Sequence, residues 1–234
     1  MCIITDFIID QRGRMMDFPC ELMKVSGAQA LATYQHLKTK TDVIPVIVGD
    51  NDDIESMLEV IDYVTDSFEH ILQQAEDLDP LEWFEKRQAQ DAEYYDLTTG
   101  EWQDLSPGSE ICSHLNLSTN EPKAEICIAL VPVAESWMIP AYLKIGGWND
   151  CPTAAEHTAI FKYWHEQYGI RVAAITRDVI ELEIQRPPTT KEQAIELAEQ
   201  QFIYCPDIIY QGTQTIAALA STLLNGRVWF FWWD

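Results

Sequence analysis

The sequence predicts an α/β (α+β) protein, a mixed β-sheet flanked by helices with a helical, acidic N-terminal portion. Three observations predict it. Short apolar runs of strand length alternate with longer stretches of three- and four-residue apolar spacing. The composition is 47% hydrophobic and 11% aromatic with eight Trp, which suits a chain that buries a core. The charge passes from dense carboxylate to near balance along the chain, which divides it in two.

The elements follow in order. Ile3–Ile9 reads as a strand. Gly27–Lys40 places Ala30, Leu31, Tyr34 and Leu37 at helical spacing. Val43–Gly49 is an apolar run ended by Gly, a buried strand. Asp50-Asn51-Asp52-Asp53 suits a helix N-terminus, where carboxylates accept from free amides. Ile54, Met57, Leu58, Ile61, Val64, Phe68, Ile71 and Ala75 then predict one amphipathic helix of about six turns. A shorter helix is predicted over Pro80–Ala92, and Tyr94–Trp102 reads as a hairpin about Gly100.

From Ala124 the texture changes. Ile126–Val133 and Trp137–Leu143 read as strands. Thr153-Ala154-Ala155-Glu156 is a capping box opening a helix that Gly169 stops. Arg171–Ile184 is rich in β-branched residues and predicts a long strand or hairpin. Thr189-Thr190-Lys191-Glu192 reads as a second capping box, for a helix to Tyr204. Ile216–Leu224 predicts a third helix. Val228–Trp233 predicts a strand without apolar/polar alternation, so covered on both faces. The expected organisation is an acidic α/β region over 1–123 and an α/β domain over 124–234.

The chain carries 38 acidic and 15 basic residues, a formal net charge of -23. Residues 1–135 hold 27 acidic and 8 basic side chains, and the remaining 99 residues hold 11 and 7. Such a chain repels phosphates, which argues against nucleic-acid binding, and repels anionic lipid surfaces. It is attracted to a basic protein. No basic leader and no apolar run of membrane-spanning length appear, and the six Cys form no Cys-x-x-Cys pair. These features predict a soluble protein of the reducing cytoplasm.

Two sets of residues are candidate sites. The first is an acidic face of Asp52, Asp53, Glu55, Glu59, Asp62, Asp66 and Glu69, a docking surface for a basic partner or, more plainly, a solvated helical face. The second is a pocket of Trp148, Asn149, Asp150, Cys151, His165, Asp207, Gln211 and Asp234. Its centre, Gly146–Pro152, links an apolar element to a capped helix, the place where ligand loops sit, although a turn that needs Gly explains it as well. Asp234 suits Arg177, Arg186 or Arg227 as a partner. His157 and His165 lack metalloprotease spacing, and no metal site or cofactor is expected. Asp178, Glu181 and Glu183 lie at alternate strand positions, where a solvated edge is expected over acid–base chemistry. The closing Trp229–Trp233 run is expected in the core.

Gly146–Pro152, Tyr163–Gly169, Arg186–Thr190, Tyr204–Asp207, Gln211-Gly212-Thr213 and Val228–Asp234 together resemble the bacterial domain of unknown function 4253 family over about residues 130–234. The N-terminal half is similar to it only through Pro45–Gly49. The resemblance implies a compact C-terminal domain and no activity. The residues favour binding over catalysis: an acidic protein-binding module, immunity- or antagonist-like toward a basic protein. The alternative is a small hydrolase or ligand-binding enzyme using Trp148–Cys151, with Cys151 as nucleophile and His165 as base.

Overall fold

A computed structural model describes residues 8–9, 15–39, 42–90 and 99–234. Most of the strand expected at Ile3–Ile9 and of the hairpin expected at Tyr94–Trp102 lies outside them. One six-stranded mixed sheet organises the molecule. Its strands are β1 (Glu21–Val25), β2 (Ile44–Ile47), β3 (Ile126–Val131), β4 (Ile170–Ile175), β5 (Val179–Ile184) and β6 (Val228–Trp232). Their spatial order is β6-β5-β4-β2-β3-β1. Only β4 and β2 run parallel; every other neighbour pair is antiparallel. Two short ribbons, Ile8–Ile9 with Met15–Met16 and Leu115–Asn116 with Glu121–Pro122, stand apart from it.

Strand β2 comes from the acidic half, yet it sits between β3 and β4 of the other half. The change of texture near residue 124 therefore falls within one sheet. It is not a boundary between two sheets.

The helices are α1 (Gly27–Leu37), α2 (Asn51–Tyr63), α3 (Phe68–Glu76), α4 (Pro80–Gln90), α5 (Ile139–Leu143), α6 (Ala154–Tyr168), α7 (Lys191–Tyr204) and α8 (Ile216–Leu223). Helix α1 alone of these covers one face of the sheet. Its stripe of Ala30, Tyr34 and Leu37 packs on Ile47, Ile126, Ile128, Ala173 and Ala174. The other face carries the main core, where Met57 and Leu58 of α2, Phe84 of α4, Trp164 of α6 and Leu197 of α7 meet Val46, Ala129, Leu182 and Phe231. Helix α3 packs outside this layer, with Ile71 against Ala141 and Ala154.

Four elements differ from expectation. The six-turn helix is two helices, because Val64 leaves helical geometry and Ser67 caps α3 by accepting from the His70 amide. The apolar spacing runs across the break, so periodicity alone reads through it. Lys144 Nζ donates to the carbonyl freed at Val64, at 3.1 Å. Trp137–Leu143 is a 3-10 turn (Ser136–Met138) followed by α5, with Pro140 in the helix's first turn and Lys144 ending it at φ 54°. Ile139, Pro140, Ala141 and Leu143 are all buried, and a run apolar on every side carries no period to separate helix from strand. The second capping position is Thr190, one residue later than expected, bonding the Gln193 amide. Strand β6 is an edge strand with clear alternation: Trp229 and Phe231 are buried while Phe230 is 39% exposed. Its aromatic spelling hides that pattern.

Candidate functional site

The loop before α6 is bent by three residues of positive φ, Gly146 (107°), Gly147 (81°) and Asn149 (45°). A Cβ on Gly146 would stand 2.0 Å from the Pro152 carbonyl oxygen, so glycine is required there. The Gly147 amide donates to the Pro152 carbonyl and the Cys151 amide to the Trp148 carbonyl. Two of the amides expected to greet a ligand, those of Gly147 and Cys151, are thus spent within the loop. Thr153, not Asp150, caps α6. The Asp150 carbonyl accepts from Arg87.

The structure brings part of the expected pocket together. Asn149 Nδ2 donates to the Asp234 carbonyl at 3.0 Å, and the Asp234 amide donates to Asp207 Oδ2 at 3.1 Å. Gln211 Nε2 reaches Asp207 Oδ1 at 3.3 Å and Asp234 Oδ2 at 3.4 Å. Asp234 takes these partners in place of an arginine. Arg177 lies over the Trp148 ring, while Arg186 and Arg227 donate to backbone carbonyls. Trp148 Nε1 donates to the Arg177 carbonyl at 3.2 Å.

His165 does not join them. It lies two helical turns beyond Cys151's true neighbour, His157, and its Nδ1 is held by the Ile170 carbonyl at 2.9 Å. The imidazole near Cys151 is that of His157, with Nε2 3.3 Å from Sγ and Nδ1 2.6 Å from the Tyr204 hydroxyl. All three groups are buried. Burial pushes the Cys151 thiol far up and, with the Arg87 charge adding to it, pushes His157 down to about 3. A nucleophilic pair needs the opposite ordering, a low thiol beside a basic imidazole. The arrangement is a neutral, hydrogen-bonded knot in an aromatic core, where Tyr204 meets Phe231 and Trp233 edge-on. Among the described residues no group of three His, Cys, Asp or Glu side chains is placed to hold a metal ion.

The acidic set is divided by the α2–α3 break. Asp52, Glu59, Asp62 and Glu69 are exposed, and Asp53, Glu55 and Asp66 are half-buried. Asp53 shares the α2 capping box with Asp50, and both pair with Lys123, at 2.8 and 2.9 Å. Asp66 pairs with His70 at 2.9 Å. The outward carboxylates form the remaining charge. Among them Tyr63, the last residue of α2, stands 83% exposed. It borders a cleft of about 580 Å³ between the α2–α3 turn and the Gly146–Thr153 loop, whose walls include Val60, Val64, Ile71 and Trp148.

Sequence reasoning missed a second polar arrangement, on the α1 face of the sheet. Strand β5 is an inner strand, so Glu181 and Glu183 are not on a solvated edge. Asp178 sits in the preceding turn and accepts from Thr176 Oγ1 at 3.1 Å. Glu181 is fully buried and accepts from the Cys112 amide (2.6 Å), the Ser113 amide (2.9 Å) and the Ser113 hydroxyl (2.5 Å). Burial raises its pKa, and these donors only partly oppose the rise. Glu183 behaves oppositely. Burial would raise it, but Lys38 Nζ (2.5 Å), the Tyr34 hydroxyl (2.8 Å) and Gln35 Nε2 (3.2 Å) outweigh burial and hold it below its ordinary value. Register places Arg171 beside Glu183 on β4, and the bulge at Ala173 lets both Ala173 and Ala174 face α1. The only early signal was Glu-x-Glu spacing within a β-branched run.

No curated protein and no solved structure matches the chain. Residues 127–234 match the family model described as Domain of unknown function (DUF4253). The matched segment begins in β3 and contains β4 to β6, α5 to α8, the Gly146–Pro152 loop and the Asn149–Asp207–Gln211–Asp234 cluster. Residues 127–234, just under half of the chain, are similar to that family.

Proposed function

We propose that the protein is a binding module that docks a basic protein partner on the surface around the end of α2. One observation carries the reading: Tyr63, 83% exposed, stands between the outward carboxylates of α2 and an apolar cleft. A ring free to be buried, next to an apolar wall and ringed by one sign of charge, has the anatomy of an interface anchor with a charged rim. The charge supports the same partner. Residues 50–90 hold thirteen Asp and Glu against Lys86 and Arg87, and nine of the carboxylates are exposed. Lys86 pairs within its helix with Glu82, and Arg87 turns toward Trp83 and the Asp150 carbonyl. A dense anionic surface speeds and selects encounter with a cationic protein, while the apolar centre supplies the lifetime.

The test is affinity capture from the native host with the intact chain, followed by kinetics on the captured partner. Replacing Glu59, Asp62 and Glu69 with Lys is expected to cut the association rate at least tenfold, with the effect shrinking in high salt. Tyr63→Ala is expected to raise the dissociation rate with little change in association. A partner that is acidic, or binding indifferent to both changes, rules the reading out. A hydrolase at Cys151 draws less support, since its expected base is remote and its thiol is buried and protonated.

A further inference from the structure

On the α1 face, where one helix leaves part of the sheet uncovered, lies a cleft of about 800 Å³. That size suits a small organic molecule. Its floor is a row across three strands, Arg171, Glu183 and Val228, which register places side by side. Lys38, just past the end of α1, overhangs it, and Ser109–Leu115 form the opposite wall.

Three features distinguish this cleft. First, its charge is inverted relative to the molecule. Of five clefts compared on the described surface, this is the one in which cations (Lys38, Arg171, Arg227) outnumber carboxylates (Glu110, Glu183). A chain of net charge -23 has concentrated three of its fifteen Lys and Arg here. Second, Lys38 and Glu183 are paired, at 2.5 Å, so they largely cancel. Arg227 donates to the Ile184 and Gln185 carbonyls, which leave its positive charge unneutralised. Third, two buried nitrogens of lining side chains, Arg171 Nε and His114 Nδ1, have no hydrogen-bond partner among the described residues, while the rest of Arg171 lies against Tyr34 and His114 against the Ile111 backbone. Buried polar atoms are rarely left so without a role, and a guanidinium edge with a free Nε is the fork that grips a carboxylate or phosphate by two bonds.

We propose that this cleft binds a small organic oxyanion, its carboxylate or phosphate held by Arg171 and His114 and its apolar body lying along Leu31, Ile111 and Val228. Arg227 adds long-range attraction. Glu183, already held by three donors, serves to fix Lys38 at the rim. The site is separate from the surface around Tyr63, so it stands or falls independently of the docking reading.

The experiment is isothermal titration calorimetry on the full chain at pH 7, with glutarate and inorganic phosphate as probes and chloride at matched ionic strength as the blank. Saturable one-to-one binding of at least one probe above the blank is expected, and which one binds distinguishes a carboxylate from a phosphate site. Arg171→Gln is expected to weaken that binding at least tenfold. Arg177→Gln, which removes a cation outside the cleft, is expected to leave it unchanged. If Arg171→Gln fails to fold by circular dichroism, His114→Ala serves in its place and is expected to weaken binding by several-fold. Absence of saturation with both probes, or unaltered binding in the cleft variants, overturns the proposal.

Discussion

Replacing Glu181 with Ala probes how the wall of the sheet-face cleft is held. In the native protein the carboxylate spans two consecutive backbone amides, those of Cys112 and Ser113, and the Ser113 hydroxyl. Truncation leaves both amides without their acceptor against the sheet. At about 1–3 kcal/mol for each buried donor left unmade, the loss is about 2–6 kcal/mol, less whatever water recovers at the half-buried segment. Urea unfolding is the assay, and a loss of that size lowers the midpoint by about 1 M or more at constant slope. The pH dependence sharpens the test. Glu181 has a raised folded pKa, so between its unfolded and folded values the native state binds the extra proton. Its contribution to stability is therefore largest in acid and declines as pH rises through the folded pKa. The gap between wild type and Glu181→Ala is accordingly expected to narrow from acid to neutral pH. A loss below about 1 kcal/mol, or a gap that widens with pH, refutes the idea that this carboxyl pins the segment while resisting ionisation.

Two further outcomes follow from the core. A fragment of residues 127–234 lacks β2 and is expected to show no cooperative thermal transition, since β3 and β4 lose the strand between them; a sharp two-state melt would count against this. In the intact chain Cys151 and Cys205, both buried and with the Cys205 thiol pushed up to about 12, are expected to resist iodoacetamide at pH 8 until urea unfolds the protein. Mass spectrometry of the labelled peptides checks it, and rapid native labelling of Cys151 would revive the nucleophile.

Much of the fold is legible where the local chemistry is strong. Asp50, Thr153 and Gly169 announce helix ends because capping is a short-range bond or a backbone requirement visible in a few residues. The break at Val64–Ser67 is not legible, because Ser67 is one hydroxyl inside an unbroken apolar period. Nor is the environment of Glu181 and Glu183. Their spacing shows that they share a face, but whether that face meets water depends on α1 and the segment near Ser113, 148 and 68 residues away from their contacts on β5. The pocket around Gly146–Pro152 was legible in part for the same reason. Asn149, Asp207, Gln211 and Asp234 converge because α7 and β6 end near the loop, while His165 sits two turns along α6 from the imidazole that does.

The family match and the fold divide the chain differently, and the difference bears on function. The matched segment supplies Arg171, Glu183 and Arg227 to the sheet-face cleft, and the preceding residues supply Gln35, Lys38 and His114. Without α1 and the Lys38 that follows it, the carboxylate of Glu183 loses all three of its donors and its depressed pKa with them. Without Cys112 and Ser113, Glu181 loses the donors that hold its carboxylate. Two carboxylates on one inner strand therefore tie the matched segment to the chain that precedes it. β2 carries the same dependence through the middle of the sheet. The segment defined by resemblance thus shares its sheet with the residues before it, and the cleft is lined by both parts of the chain.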